Sequence, residues 1–307
     1  MIKDFISLTD FSSQQLSRLL RKALDDKKAF QAGRLAATLE RKTLAMIFEK
    51  PSLRTRVSFE TAMTHLGGHA IYLTKSDIGL GQRESIADGA RTLGRMCDGI
   101  MARTFKHEYV VQLAAHARVP VINALTDYSH PCQAMADIMT LQELMGADLS
   151  GRKLVFVGDG NNVARSLAMI CSRLGIEFVL ACPRGYEFEK DFASKLDRGA
   201  TLVVTDDTKA AVAGADAIYT DTWVSMGQEA EKAKRVEVFR SFQVNAKLMA
   251  AAGSQAVVLH CLPAYRGYEI TDETFEAHAE TIFRQAENRL HFQRSLLDVL
   301  IGQGGIE

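Results

Sequence analysis

The sequence predicts an α/β protein of two Rossmann-like domains, each a parallel sheet flanked by helices, with the candidate active site in the cleft between them. Three observations predict it. Short β-branched or apolar runs alternate with longer amphipathic ones along the chain, the pattern of βαβ units. The 307 residues suffice for about two domains. The unusual polar clusters each fall just past the carboxyl end of a predicted strand, where open α/β sheets bind ligands.

The predicted strands run over 42–47, 69–73, 99–102 and 119–124, then over 153–157, 177–181, 201–204, 217–220 and 257–260. Helical faces lie between them: Phe59, Ala62, Met63 and Leu66 recur at helix spacing and are closed by Gly67 and Gly68. A boundary near MGADLSGRK, residues 145–153, divides residues 1–148 from 149–285. The last helix, from about 286 to the end, is expected to complete the first domain. Neither an internal repeat nor a low-complexity segment is evident.

Composition excludes several classes of function. Lys+Arg and Asp+Glu balance at 37 each, so no global field favours nucleic acid or an anionic membrane. The five cysteines form no CxxC or CxH spacing, which argues against a zinc site or disulfide framework and for a reducing cytoplasm. The N-terminus MIKDFISLTDF carries acids where a signal peptide would be apolar, and no apolar run approaches the ~20 residues of a membrane span. A soluble cytoplasmic protein is expected.

The polar clusters carry the chemistry. In FEKPSLRTR, Ser52 is placed to cap a helix, and the helix end with Arg54 and Arg56 favours phosphate or carboxylate; a capped helix with two solvated arginines is the plainer alternative. Arg103 ends a buried-looking strand. In HPCQ, Pro131 suits a first helical position, His130 could donate to an oxygen and Gln133 could read an amide, or the segment is an ordinary capping turn.

GDGNN invites a dinucleotide reading, but a fingerprint wants Gly or Ala where Val163 stands and an acid where the next strand ends LACPRG. Asn161 and Asn162 suit a small polar substrate better. In TDTWVSMG, Asp221 could pair with an ammonium, and Ser225 and Gly227 mark a loop; the charged GQEAEKAKR, 227–235, reads as a solvated face. In HCLPA, Cys261 and His260 each have a plain reading as a buried, packed side chain. No Walker loop, Ser/His/Asp order or metal-ligand cluster stands out.

SLRTR, HPCQ, GDGNN, DTWVSMG, HCLPA and AENR, in this order from residue 52 to 289, resemble the transcarbamylase family and, within it, its ornithine-specific branch. The resemblance implies transfer of the carbamoyl group of carbamoyl phosphate to the δ-amine of L-ornithine, with no metal and no cofactor. By resemblance, Ser52, Leu53, Arg54 and Thr55 hold the phosphate with Arg103, while Thr55, Arg103 and His130 polarise the carbamoyl oxygen. Gln133, in one motif with Pro131 and Cys132, holds the carbamoyl group, and Cys261, Leu262 and Arg289 complete that site.

Ornithine is expected on Asn162, Asp221, Ser225 and Met226, with Asp221 and Cys261 orienting the amine and the leaving phosphate as a further proton acceptor. The Leu262–Pro263 bond is expected to be cis, and the assembly a homotrimer or a multiple of one. Leu53 stands where many relatives have Thr, and Gly79 where relatives present Gln or His, a contact Gln82 could replace. Transfer to another amine such as putrescine, a dehydrogenase on the same scaffold, and a non-catalytic amino-acid-binding protein are the rival readings.

Overall fold

The computed structural model describes residues 3–79, 81, 83–224 and 227–302. Among them, all nine predicted strands are present: β1 Thr43–Phe48, β2 His69–Thr74, β3 Gly99–Arg103, β4 Val121–Leu125, β5 Lys153–Val157, β6 Glu177–Ala181, β7 Leu202–Thr205, β8 Ala217–Thr220 and β9 Val257–His260. The helices are α1 Ser13–Gln31, α2 Leu53–His65, α3 Lys75–Ile78, α4 Ile86–Met96, α5 His107–His116, α6 Pro131–Met145, α7 Asn162–Leu174, α8 Thr208–Val212, α9 Lys232–Phe239, α10 Ala246–Ala252, α11 Asp272–Ala277 and α12 Ala279–Ile301. The chain forms two compact units, Met1–Met139 with Glu287–Glu307, and Thr140–Ala286. It passes from one to the other inside α6 and returns inside α12.

In the first unit the strands run parallel in the order β2-β1-β3-β4. The central strands β1 and β3 are buried almost throughout, which is why LAMIF and GIMA read as unbroken apolar runs. The edge strand β2 alternates instead. The outer side of β4 is covered: the Phe5 N–H donates to the Val121 carbonyl at 2.9 Å and its carbonyl accepts from Asn123 at 2.8 Å, closing an edge that would otherwise offer unpaired backbone groups. A core of Ala45, Ile47, Ile100, Ala102, Val110 and Leu113 fills one face of this sheet. Because β2 lies to one side of β1 and β3 to the other, the order switches between β1 and β3, and FEKPSLRTR and ART leave the sheet side by side there. Phe48 is in register with Arg103.

The second unit has the parallel order β7-β6-β5-β8-β9, with its switch point between β5 and β8. GDGNN and TDTW therefore emerge from adjacent strands, Val157 opposite Thr220, and HCLPA follows on the next strand, Thr220 opposite His260. Val155, Ile218, Val258, Trp223 and Phe239 belong to the core of this unit. Gly160, the second glycine of GDG, is needed for packing. A Cβ there would lie 2.8–2.9 Å from the backbone of Glu187 and Phe188, so the glycine signals chain against chain and needs no dinucleotide to explain it.

Two expectations are corrected. The last helix begins at Ala279 rather than near 286. The segment 227–235 is not wholly a solvated face, because Arg235 at its end is 4% exposed.

Candidate active site

The first unit gathers a concentrated positive site. Ser52 is extended and caps α2, its Oγ accepting from the Thr55 N–H at 3.3 Å, so the cap anticipated from sequence is present. The Ser52 hydroxyl also donates to Thr55 Oγ1 at 3.1 Å. Thr55 is fully buried, and its oxygen accepts from two guanidiniums: Arg289 Nη2 at 3.3 Å and Arg103 Nη1 at 3.5 Å. Arg289 Nη1 donates to Gln133 Oε1 at 2.6 Å, and Gln133 passes its own N–H to Asp137 at 2.8 Å. With the Gln293 amide oxygen turned towards it, Arg289 also donates to that oxygen from Nη2 at 3.0 Å and from Nε at 3.1 Å. Ser52, Thr55, Arg103, Gln133 and Arg289 thus form one hydrogen-bonded network built from the ends of β1 and β3 and from α2, α6 and α12.

His130 is buried beside this network. Burial first, and then the positive charges of Arg289, Arg103, Arg54 and Lys50, hold its pKa well below the usual histidine range. It is a neutral imidazole at pH 7, able to donate one N–H without carrying charge. Lys50 is itself buried and lies over the Phe105 ring at 4.2 Å; burial and then Arg103 push its pKa down. Four cations facing one neutral donor favour a multiply charged anion.

Leu53, Arg56, Pro131 and Cys132, in the same motifs, have different surroundings. The Leu53 side chain is 76% exposed, so any contact at that position falls to its backbone N–H at the open end of α2. The Arg56 guanidinium is spent on Glu60 at 3.0 Å and on the Tyr72 ring at 4.0 Å. Pro131 opens α6 as its sequence position predicts. The Cys132 thiol points into the core, donating to the Asn123 carbonyl at 3.4 Å, and burial pushes its pKa up to about 12. Gly79 ends α3 in the left-handed conformation (φ 54°), which a side chain bearing a Cβ adopts at a cost; Gln82 lies outside the described residues.

In the second unit Asp221 is the centre. Asn161 Nδ2 donates to its Oδ2 at 3.0 Å; the Thr222 N–H and the Cys261 thiol donate to its Oδ1 at 2.8 and 3.0 Å. All three donors are neutral, and among the described residues Asp221 has no ion pair. Asn161 also caps α7, its Oδ1 accepting from Val163 and Ala164, which leaves Asn162 as the first helical residue behind it. Ser225 and Met226 lie outside the described residues.

The HCLP segment is held from behind. The Leu262 N–H donates to His260 Nδ1 at 2.9 Å, so the ring proton sits on Nε2 and faces Glu269 Oε1 at 3.1 Å. Glu269 also accepts from the Tyr265 N–H, and Gln285 accepts from the His260 N–H at 2.9 Å. Leu262 has φ 60°, and the Leu262–Pro263 bond is cis as expected. Asp221, His260 and Cys261 each place a ligand atom within 4.8 Å of the others. Both His260 nitrogens are engaged, however, which leaves Asp221 and Cys261, fewer donors than four-coordinate zinc takes from protein.

Lys50, Asp137, Glu269, Gln285 and Gln293 were not singled out in the sequence. Lys50 had a usable signal, a lysine two residues past an apolar strand; Asp137 and Gln293 meet Gln133 and Arg289 one helical turn away, and Glu269 and Gln285 meet His260 from 9 and 25 residues away.

Two α/β units, each with polar groups collected at its switch point, have the architecture of ligand-binding α/β domains. Residues 3–143 match the model of the aspartate/ornithine carbamoyltransferase carbamoyl-P binding domain, and residues 150–300 that of the Asp/Orn binding domain; the chain belongs to the aspartate/ornithine carbamoyltransferase family. It is 48% identical over 304 residues to the ornithine carbamoyltransferase of Anoxybacillus flavithermus, covering 97% of this chain and 96% of that one. The solved structure of ornithine carbamoyltransferase from Pyrococcus furiosus superposes with a TM-score of 0.93 at 46% identity, over 99% of this chain and 98% of that one. The structure of the anabolic enzyme from Campylobacter jejuni matches with a TM-score of 0.91 at 39% identity, over 97% and 99% of the two chains.

Proposed function

We propose that the protein transfers the carbamoyl group of carbamoyl phosphate to the δ-amine of L-ornithine, giving L-citrulline and phosphate. The observation that carries this reading is the positive site of the first unit, in which Arg103 and Arg289 meet Thr55 in the first turn of α2, and the charges of Lys50, Arg54, Arg103 and Arg289 act on a buried, neutral His130 just before α6. Residues 1–148 with the C-terminal helix are assigned to carbamoyl phosphate, and residues 149–285 to ornithine. The N-terminus of α2, with Ser52, the Leu53 N–H, Arg54 and Thr55, takes the phosphate with Arg103. Thr55, Arg103 and His130 donate to the carbamoyl oxygen, where negative charge grows as the amine attacks, while Gln133 and Arg289 fix the carbamoyl group and Pro131 and Cys132, whose thiol is turned into the core, contribute through the backbone of the HPCQ turn. Leu262 and Cys261 border the reacting carbon.

Asn162, Asp221, Ser225 and Met226 are assigned to ornithine. Its δ-ammonium, with an unperturbed pKa of about 10.4, must lose a proton before it attacks. The Asp221 carboxylate draws in the cation, and the Cys261 thiol at 3.0 Å from Asp221 holds the carboxylate's orientation. No covalent enzyme intermediate is required; positioning and charge stabilisation suffice.

The reading extends to a cytoplasmic homotrimer or a multiple of one. None of the five cysteines is in a disulfide, and no described helix is long and apolar enough to cross a membrane. Light scattering should return three times the 33.8 kDa chain, or a multiple of that. The activity is tested with purified protein, carbamoyl phosphate and a panel of amines including ornithine and putrescine, scored for citrulline and phosphate. Absence of citrulline from ornithine would overturn the reading.

A further inference from the structure

Arg235 is the least expected charge in the second unit. It stands at the end of a run of charged residues, yet it is buried within α9. Its Nη2 pairs with the Asp159 carboxylate, its Nε donates to the Trp223 carbonyl, and its guanidinium lies over the rings of Tyr186 at 4.9 Å and Phe239 at 5.3 Å. Among the described residues a further acid, Glu231, lies 3.7 Å from Nη1 and is mostly exposed. One guanidinium thus ties the GDGNN turn after β5 to the TDTW segment after β8.

Asp159 and Asp221 flank the same residue. Asn161 follows Asp159 by two positions, with its N–H on the Asp159 carbonyl, and its side-chain amide is on Asp221. Burial, with a smaller contribution from the Asp221 charge, raises the Asp159 pKa against the pull of Arg235 and Arg165. Arg165 is already paired with Glu189. Arg235 is therefore the counter-ion that separates the two acids in role: Asp159 is neutralised, and Asp221 faces only neutral donors.

We propose that Arg235 is a positioning residue for the amine acceptor: by compensating Asp159 and anchoring the Trp223 carbonyl, it leaves Asp221 as the carboxylate that receives the cationic amine. This rests on the carbamoyl-transfer reading. Without Arg235, a buried uncompensated carboxylate would compete for the ammonium at the wrong place and disturb the turn that holds Asn161 on Asp221.

The test is a double-mutant cycle on the full chain, with the parent's citrulline formation as the separate check on the activity itself. Arg235→Gln is expected to raise the ornithine KM by about tenfold or more while the carbamoyl phosphate KM stays within about twofold. Adding Asp159→Asn should bring the ornithine KM back to within about threefold of the parent, because the pair is removed together. Should Arg235→Gln fail to fold, Asp159→Asn replaces it in the cycle: alone it strands the buried cation and raises the ornithine KM, and the double change relieves it. A double variant as impaired as the single, or an equal rise in both KM values, overturns the proposal. Lack of citrulline from the parent would instead refute the activity.

Discussion

Thr55→Val tests the first half-site at its narrowest point. The change is nearly isosteric, and the residue is fully buried, so volume and exposure hardly alter. What disappears is the oxygen that accepts from Arg289 Nη2 at 3.3 Å and from Arg103 Nη1 at 3.5 Å. A hydrogen bond involving a charged group is worth about 1.5–3 kcal/mol. Both contacts are long, and Arg289 keeps Gln133 at 2.6 Å, so the loss sums to roughly 2–3 kcal/mol. At about 2.1 cal/mol/K per residue, a 307-residue chain converts this to a fall of about 3–5 °C in melting temperature. Catalysis should suffer more. In the proposed reading the hydroxyl is one donor to the carbamoyl oxygen; it also accepts from two guanidiniums, and removal of one such donor costs about 10²–10³ in kcat. Thermal melts with and without carbamoyl phosphate, together with initial rates, read both effects. Thr55→Ser, which keeps the oxygen, should stay within about tenfold of parental kcat. A Thr55→Val variant with parental turnover and melting temperature would refute the network as the organiser of this site.

Other expectations can be checked alongside. Asp221→Asn keeps the shape but loses the charge and turns its N–H₂ towards either the Asn161 amide or the Thr222 and Cys261 donors; kcat/KM for ornithine should fall by about 10²–10³ with carbamoyl phosphate binding by calorimetry unaltered. His65, His107, His130, His278 and His291 all have pKa values lowered chiefly by burial. The unfolded chain therefore takes up protons first: stability is greatest above about pH 6.5 and falls below it, by up to about 1.4 kcal/mol per pH unit for the fully buried His130 and by less for the partly exposed His65 and His278. A melting temperature flat from pH 7 to 5 would contradict this. Gly160→Ala should cost about 1–3 kcal/mol by overpacking against residues 187–188, read by denaturant unfolding. Arg56→Ala, which removes an exposed pair, should lower stability by less than about 1 kcal/mol and leave turnover within about twofold.

The strands were legible because a strand covered on both faces reads as a continuous apolar run, and β1, β3, β5 and β8 are of that kind. The caps at Ser52 and Asn161 were either visible or one residue from where function was sought, since a cap is a local interaction. What escaped is held by distance along the chain. Arg235 finds Asp159 76 residues away, and Arg289 finds Thr55 234 residues away; no periodicity encodes such partners. The same limit made His260 read as merely packed. It is packed, but its ring orders Leu262 on one side and meets Glu269 on the other. The start of α12 was misplaced because its first turn, AETI, has neither a Ser/Thr/Asn/Asp cap before it nor a continuous apolar face.

The return of the chain inside α12 has a consequence for biosynthesis. The first unit is begun first but cannot be finished until the last residues have been made, because Glu287–Glu307 belong to it. Thr55 and Gln133 wait for Arg289 across 234 and 156 residues, while the second unit, a continuous stretch, can close as it emerges. A ribosome stalled shortly before residue 287 would therefore hold a chain whose later half is mature and whose earlier half is not, and truncations of the last helix should cripple the unit that was translated first.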